Sequence, residues 1–249
     1  PTPAGKLLLE RACGIFRQVG LARADLSDYV RGIRGSVSLQ ASTSVIAQSL
    51  PGDLARFSRE CPAIRIDIGE ARTAAIAAAL RAGTTEVGIV IAGPNAKGLT
   101  VRPYRRDRLV VVAPSGFRPG LRHVRLIDLV EEEFVLMEDR TAIMRLLSSI
   151  ALERSIALRL RVQVDSFDAV GRMVESGFGI GVLPSSAAQT LASAMGLKLL
   201  DLDEPWAERQ MLICTSPSVA LSAPAARLVD FLADAASRPT SPERTTGVG

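Results

Sequence analysis

The alternation of strand-like and helix-like patterns between residues 36 and 91 constrains the fold of this chain more than any other feature. Apolar and polar residues alternate at 36–40 and at 64–68, as in half-buried strands. Each of these stretches is followed by Ser or Thr residues and then by a segment with helical spacing, and "EVGIVIAG" reads as a third strand. This βαβαβ order predicts a mostly parallel sheet with helices on both faces.

A second unit of the same kind follows the first, beginning with a predicted strand at 107–114. A last strand and helix have no sheet of their own, and we expect them to return to the first unit. The prediction is an α/β protein with lobe I at 35–105 plus 207–237, lobe II at 106–206 and a disordered tail at 238–249. Such a chain crosses twice between its lobes, and a cleft between lobes is where small ligands bind.

Residues 1–34 carry the most regular apolar pattern and are predicted to form a long linker helix. Apolar residues recur at alternating steps of four and three from Leu8 to Ile33, which is a heptad pattern. The simplest partner for such a stripe is a second copy of the same helix, and the alternative is that the helix lies on its own domain. The residues expected in the dimer contact are Leu8, Ile15, Val19, Leu26 and Tyr29.

The glycine-rich stretch "VESGFGIGVLP" at 174–184 resembles a nucleotide loop at first sight. A dinucleotide fingerprint, however, runs from strand to helix, because the pyrophosphate binds at a helix N-terminus. Here a helical pattern precedes the glycines and a short strand follows, so Gly177 is predicted to end a helix. Gly179 begins the strand, where a glycine can mark close approach of the backbone to a ligand.

Net charge does not indicate a nucleic-acid partner for these residues. Thirty basic and 26 acidic side chains leave a formal charge of +4, which is mild. The arginine-rich segments at 102–108 and 159–162 lack the interleaved aromatic pattern of a single-strand binder, and we interpret both as solvated surface.

The sequence offers no catalytic or metal-binding constellation. His123 is the only histidine, and there is no CxxC, HxxxH, G-x-S-x-G or Walker A pattern. We therefore expect no enzyme activity, no metal and no cofactor. Three widely spaced cysteines are an odd number, which favours small buried side chains in a reducing compartment over a disulfide framework. With no secretory signal and no apolar run of roughly 18 residues, the cytoplasm is the expected location, without a membrane partner.

Several blocks resemble, in order and spacing, the LysR-type transcriptional regulators: "GSVSLQAS", "LPGDLARFSRECPAIRIDI", "LRAGTTEVGIVI", "DRLVVVAP" and "VESGFGIGVLP". The resemblance covers residues 1–237 and implies a type 2 periplasmic-binding-protein fold, in which two Rossmann-like lobes flank an effector cleft behind a linker helix. It also implies that residues 1–5 are the end of a missing winged helix-turn-helix domain, through which DNA would be bound. Two departures, Glu86 where the family usually has Asp and Cys61 where an aromatic residue or His is common, leave the fold expectation unchanged.

Candidate effector residues follow from that resemblance and lie where predicted strands end and helices begin. Several helix N-termini converging on one cleft would favour an anion, and an arginine there would add a carboxylate contact. The alternative for each Ser or Thr is plain helix capping, and for Arg140 a solvated loop position. The candidates are Ser42, Thr43, Ser44, Thr73, Asp139, Arg140, Thr141, Ser166, Phe167 and, through its backbone, Gly179.

These patterns predict the effector-sensing domain of a LysR-type regulator. We expect a small anion, such as a carboxylate, to bind between the lobes and shift their closure, in a homo-oligomer that is a dimer or a tetramer. The alternative is a solute-binding component of a transporter with the same fold.

Overall fold

The protein, described here as a computed structural model, is an α/β molecule built of two lobes. The structure describes residues 35–138 and 141–236, together with positions 2, 4, 5, 8, 11, 12, 15 and 19. The first elements are β1 (Ser36–Ala41), α1 (Thr43–Ile46), α2 (Leu50–Glu60), β2 (Arg65–Glu70), α3 (Thr73–Arg81), β3 (Val87–Ile91) and β4 (Thr100–Ala113). Next come β5 (His123–Val124), β6 (Glu133–Met137), α4 (Ala142–Glu153), β7 (Arg159–Val164), α5 (Phe167–Glu175), β8 (Ile180–Pro184), α6 (Ser185–Met195) and β9 (Lys198–Leu202). The last are β10 (Glu208–Thr215) and α7 (Ala223–Ala236).

Lobe I is built on the strand order β2-β1-β3-β10-β4. Strand β1 pairs in parallel with β2 and β3, and β10 lies antiparallel between β3 and β4. Helix α7 packs on this sheet, so the last strand and helix of the described chain return to the first lobe. Its core includes the fully buried Leu39, Phe57, Ile213 and Leu228.

Lobe II uses the second half of β4, which pairs antiparallel with β8 and β9. Strand β6 lies parallel to both β7 and β8. The helix, turn and strand predicted around the glycine-rich stretch are confirmed, since α5 ends at Glu175, Gly177 has a φ of +80° and β8 starts at Ile180. Helices α5 and α6 pack their apolar faces against the sheet, so that Val170 of α5 shares a core with the strand residues Val112 and Leu183.

Strand β4 is a single 14-residue strand that serves both sheets, and it begins seven residues before the predicted one. The interpretation of 102–108 as solvated surface is therefore wrong in part. The ring of Tyr104 is buried, and its hydroxyl donates a 2.5 Å hydrogen bond to Asp53. Arg105, whose side chain is 11% exposed, also donates to Asp53. Burial is the main cause of the raised pKa of the Tyr104 hydroxyl, and the charge of Asp53 adds to it.

The chain crosses between the lobes along β4 and again where it enters β10. Asp107 and Arg209 lie opposite each other in the antiparallel register of these two strands. The guanidinium of Arg209 donates to the Asp107 carboxylate, and their side chains are only 4% and 0% exposed. Burial lowers the pKa of Arg209, and the charge of Asp107 opposes that shift. An ion pair thus joins the two crossing strands inside the protein.

A second charged contact fastens the end of α4 to the loop before β10. The Arg154 guanidinium donates to both carboxylate oxygens of Glu204, over 2.7 and 2.8 Å. The same carboxylate accepts a hydrogen bond from the backbone N–H of Leu126. The hydrogen bonds from Arg154 are the main cause of the lowered pKa of Glu204.

Candidate effector site

A cavity of about 530 Å³ opens between the two lobes, within the size range of small-molecule sites. It lies at the carboxyl ends of β1, β2 and β6, the edge of a parallel sheet where ligands usually bind. Its lining residues are Ser42, Thr43, Ser44, Glu70, Ala71, Arg72, Thr73, Ala75, Met137, Glu138, Thr141, Ala142, Ile143, Arg145 and Phe167.

Helices from both lobes begin at this cavity, among them α3 and α4. Helix α3 starts at Thr73, three residues after the end of β2, and α4 starts at Ala142, shortly after the end of β6. The first N–H groups of a helix have no partner within it, and the helix dipole makes that end partly positive. The folding of two lobes against each other thus brings two positive helix ends to one cavity.

Two of the predicted hydroxyl groups act as helix caps. Thr141 Oγ1 accepts a 3.2 Å hydrogen bond from the N–H of Met144 and donates to the carbonyl of Glu138. Ser166 Oγ accepts a 3.2 Å hydrogen bond from the N–H of Ala169 and does not line the cavity. Capping thus accounts for Ser166, whereas Thr141 both caps α4 and lines the site.

The hydroxyl groups of lobe I are engaged differently. Thr43 Oγ1 donates a 2.5 Å hydrogen bond to the carboxylate of Glu70, so its remaining capacity is to accept. Ser42 Oγ is buried and has no hydrogen-bond partner within the described part of the chain. Thr73 is buried in the first turn of α3, where Arg72 rather than Thr73 holds the capping position. Thr43 can therefore only accept further hydrogen bonds, whereas the Ser42 hydroxyl has both its donor and its acceptor capacity unused.

Four charged side chains line the cavity that the sequence prediction did not include: Glu70, Arg72, Glu138 and Arg145. Glu70 and Glu138 stand at the carboxyl ends of β2 and β6, next to residues that were predicted. Their position at the end of a predicted strand could have indicated a place near the cavity. The alternation of apolar and polar residues, however, does not distinguish a carboxylate in a cavity from one on the outer surface. The cavity thus contains both signs of charge.

The structure brings six of the ten predicted effector residues together at the cavity. These are Ser42, Thr43, Ser44, Thr73, Thr141 and Phe167. Asp139 and Arg140 lie outside the described residues. Ser166 and Gly179 do not line the cavity.

Gly179 is placed at the amino end of β8, away from the ends of the strands that form the cavity. Its φ is +138°, and a Cβ built on it would lie 2.1 Å from the carbonyl oxygen of Glu133. The close neighbour that requires a glycine here is therefore the start of β6, not a ligand.

The predicted dimer contact is described only in part. Leu8, Ile15 and Val19 are 70%, 63% and 45% exposed, whereas Leu26 and Tyr29 lie outside the described residues. The dimer contact stays a prediction.

Within 35–138 and 141–236, no group of three or more His, Cys, Asp and Glu side chains is arranged to hold a metal ion. Cys61 and Cys214 are buried free thiols, and burial raises the pKa of Cys214 to about 11. His123 is exposed beside Asp201 and does not line the cavity. In the same described ranges, no helix has the length and apolar character needed to span a membrane.

The fold and the cavity together define a two-lobed small-molecule-binding domain. Comparison with known families identifies the family of this domain. The family model described as LysR substrate binding domain matches residues 31–237. The chain belongs to this family, and it is the effector-binding domain of a LysR-type regulator. This family membership favours regulation over the transporter alternative and over an enzyme.

Individual proteins show the same relationship. The nitrogen assimilation regulatory protein nac of Klebsiella aerogenes is 24% identical over 98% of this chain and 80% of its own length. The regulatory domain of Synechocystis PCC6803 CcmR, solved in complex with 2-PG, superposes with a TM-score of 0.72 at 21% identity, over 81% of this chain and 97% of that one. Full-length CbnR, solved with its target DNA, gives a TM-score of 0.74 at 18% identity, over 95% of this chain and 83% of that one.

Proposed function

We propose that the cavity between the lobes binds a small carboxylate or similar anion, and that occupancy changes lobe closure and thereby the activity of the regulator. The observation that carries this proposal is the convergence of the α3 and α4 amino termini on one cavity that Arg72 and Arg145 also line. The CcmR structure with 2-PG supports an anion-type effector by analogy.

The two carboxylates of the cavity refine the expected chemistry of that anion. Glu70 already accepts a hydrogen bond from the Thr43 hydroxyl, and Glu138 lines the same cavity from the other lobe. Both accept hydrogen bonds only. We therefore expect the effector to carry hydroxyl or amine donors in addition to its anionic group, since a plain anion would meet repulsion on that side.

The experiment is thermal unfolding against a panel of small hydroxy, amino and aromatic carboxylates. A ligand at about 100 times its Kd adds roughly 2.7 kcal/mol, which is a Tm increase of about 5 °C for a chain of this size. Ala75 lines the cavity, so Ala75→Leu is expected to fill it and abolish the increase. Its neighbour Ala74 is exposed and does not line it, so Ala74→Leu is the matched control. An increase that persists in Ala75→Leu, or a panel without any ligand, would contradict the proposal.

We further propose that the regulator acts as a homo-oligomer through the heptad stripe, binds DNA through a segment outside the two lobes, and works in the cytoplasm. The exposure of Leu8, Ile15 and Val19 in the single chain supports a partner surface, because apolar stripes on soluble proteins are usually covered. The CbnR complex with target DNA supports the DNA partner by analogy. Light scattering of Leu8→Asp and Val19→Asp should show a smaller particle than the unchanged chain, and an unchanged mass would argue against the stripe.

A further inference from the structure

Thr43 and Glu70 form a pair of neighbouring hydrogen-bond acceptors in the cavity between the lobes. Both residues line the cavity, and Thr43 is half-buried while Glu70 is exposed. The Thr43 hydroxyl donates to the Glu70 carboxylate over 2.5 Å. A hydroxyl has one proton to donate and a carboxylate has none, so both groups can only accept hydrogen bonds from a ligand. A ligand that contacts this pair must therefore supply the N–H or O–H groups.

Glu70 has no ion-pair partner in the part of the chain that the structure describes, although it lies on a strand where another carboxylate is paired. Asp67, three residues earlier on β2, forms an ion pair with Arg65 over 2.9 Å. The hydrogen bond that Glu70 accepts comes from the neutral hydroxyl of Thr43. The carboxyl end of β2 thus places a negative charge in the cavity without a direct cationic partner.

Glu138 repeats this arrangement in lobe II. It directly follows β6 and lines the same cavity, and its side chain forms neither an ion pair nor a hydrogen bond with any described residue. Glu133, at the amino end of the same strand, is paired with Arg161. Each lobe therefore contributes a carboxylate without a direct cationic partner at the cavity end of a strand, whereas a carboxylate elsewhere on that strand is paired with arginine.

A primary ammonium group matches these acceptors better than a hydroxyl group does. An ammonium has three N–H donors and no acceptor, so it can donate to Thr43, to Glu70 and to a further acceptor at the same time. A hydroxyl has one proton, so it leaves one of the two acceptors unpaired and brings its own lone pairs next to them. The positive charge of the ammonium also compensates the carboxylates, which a neutral hydroxyl cannot do.

We propose that the effector is an amino acid or a related aminocarboxylate, whose ammonium group binds to Thr43 and Glu70. Its carboxylate is then held by the positive ends of α3 and α4 and by Arg72 and Arg145, which line the same cavity. This inference rests on the proposed function, because it concerns the same site. It narrows the effector from a carboxylate with any hydrogen-bond donor to a zwitterion, and it makes Glu70 a residue that determines specificity.

Matched ligands that differ in one substituent test the ammonium group. The standard L-amino acids are compared by thermal unfolding, and each one that raises the Tm is titrated calorimetrically beside its α-hydroxy and its unsubstituted counterparts. L-Aspartate, L-malate and succinate form one such set, and L-phenylalanine, L-phenyllactate and phenylpropanoate form another. We expect the amino compound to bind at least about tenfold more tightly than either counterpart, since both lack the charge and the additional donors. A counterpart that binds as tightly as the amino acid would overturn the inference.

Glu70→Gln then isolates the contribution of the charge. The amide keeps an oxygen that can accept from Thr43, so the variant removes the charge and retains an acceptor. We expect the ratio of amino-acid to hydroxy-acid affinity to fall at least about tenfold, whereas general damage to the cavity would weaken both ligands alike. Asp67→Asn is the matched control, because Asp67 lies on the same strand and does not line the cavity, and it should leave the ratio unchanged.

Thr43→Val removes the other acceptor and should lower the same ratio, which covers the case in which Glu70→Gln does not fold. A ratio that stays unchanged in both variants would overturn the role of this pair. The proposed function fails differently, since it is contradicted only when no carboxylate of any kind raises the Tm. A panel in which other carboxylates bind and no amino acid does would leave the proposed function standing and overturn the amino-acid effector.

Discussion

Asp107 and Arg209 pair face to face across the two strands that carry the chain between its lobes, with side chains that are 0% and 4% exposed. Removing one member of a buried pair leaves an uncompensated charge, at a typical cost of about 3–5 kcal/mol. We therefore expect Arg209→Met to lower the free energy of unfolding by about that amount in urea denaturation.

Two comparisons make that prediction specific. The double variant Asp107→Leu with Arg209→Met should recover most of the loss, since an apolar pair of similar volume often replaces a buried ion pair without cost. Arg102→Met breaks an exposed pair with Asp230, at 42% and 69% exposure, and should cost less than about 1 kcal/mol. A double variant no more stable than Arg209→Met would show that the pair does more than neutralise charge.

Thr141 and Ser166 allow capping to be separated from ligand contact. Both side chains accept a 3.2 Å hydrogen bond from the third residue after them, so Thr141→Ala and Ser166→Ala should each lower stability by about 1 kcal/mol. Only Thr141 lines the effector cavity, so only Thr141→Ala should also weaken binding of a ligand found in the thermal panel. Equal binding losses in both variants would mean that ligand affinity follows helix stability instead.

Gly179 and Gly177 differ in what surrounds them, although both have positive φ values. Nothing lies within 4 Å of a Cβ built on Gly177, so Gly177→Ala should cost about 1 kcal/mol for its backbone conformation alone. A Cβ on Gly179 would meet the Glu133 carbonyl at 2.1 Å, so Gly179→Ala should cost about 1–3 kcal/mol more through overpacking. Chemical denaturation of the two variants checks this order, and equal losses would contradict the strand contact.

Glu204 should make the protein sensitive to acid. Its pKa is lowered in the folded state by the hydrogen bonds from Arg154, so the stabilisation is present above its ordinary value of about 4.5. The stabilisation is lost as the pH falls below that value towards the lower pKa of the folded protein. As the pH falls below about 4.5, the free energy of unfolding of Glu204→Gln should therefore decrease less than that of the unchanged chain. Glu153→Gln, at an exposed neighbouring position, should keep the full acid dependence.

The fold was predictable because the period of apolar residues is a local signal. The alternation around Val37 and Leu39, and the helical spacing around Val170 and Val174, are visible without knowledge of any distant partner. The buried part of the arginine-rich segment was not predictable in that way. The Arg105 side chain is only 11% exposed because Asp53, 52 residues away, accepts its hydrogen bonds, and no local pattern encodes that contact.

The sequence allowed the location of the candidate site to be predicted better than the charge of its lining residues. The family resemblance located six lining residues, and five of them are Ser or Thr residues at strand-to-helix junctions, which parallel strands bring to one edge. The mixed charge of the cavity depends on Glu70 and Arg72 from one lobe and Glu138 and Arg145 from the other lining the same space, which is a long-range relationship. Gly179 was predicted to contact the ligand, but it lies against the neighbouring strand. In the sequence, a glycine required by such a contact looks the same as one that leaves room for a ligand.

The insertion of β10 between β3 and β4 affects the order in which the two lobes can fold during synthesis on the ribosome. The first strands of lobe I are synthesised before lobe II, yet the strand inserted between β3 and β4 spans Glu208–Thr215 and the covering helix ends at Ala236. Lobe II, by contrast, has all its strands once Leu202 has emerged. We therefore expect lobe II to fold first, while β3 and β4 keep unpaired edges until β10 has been synthesised.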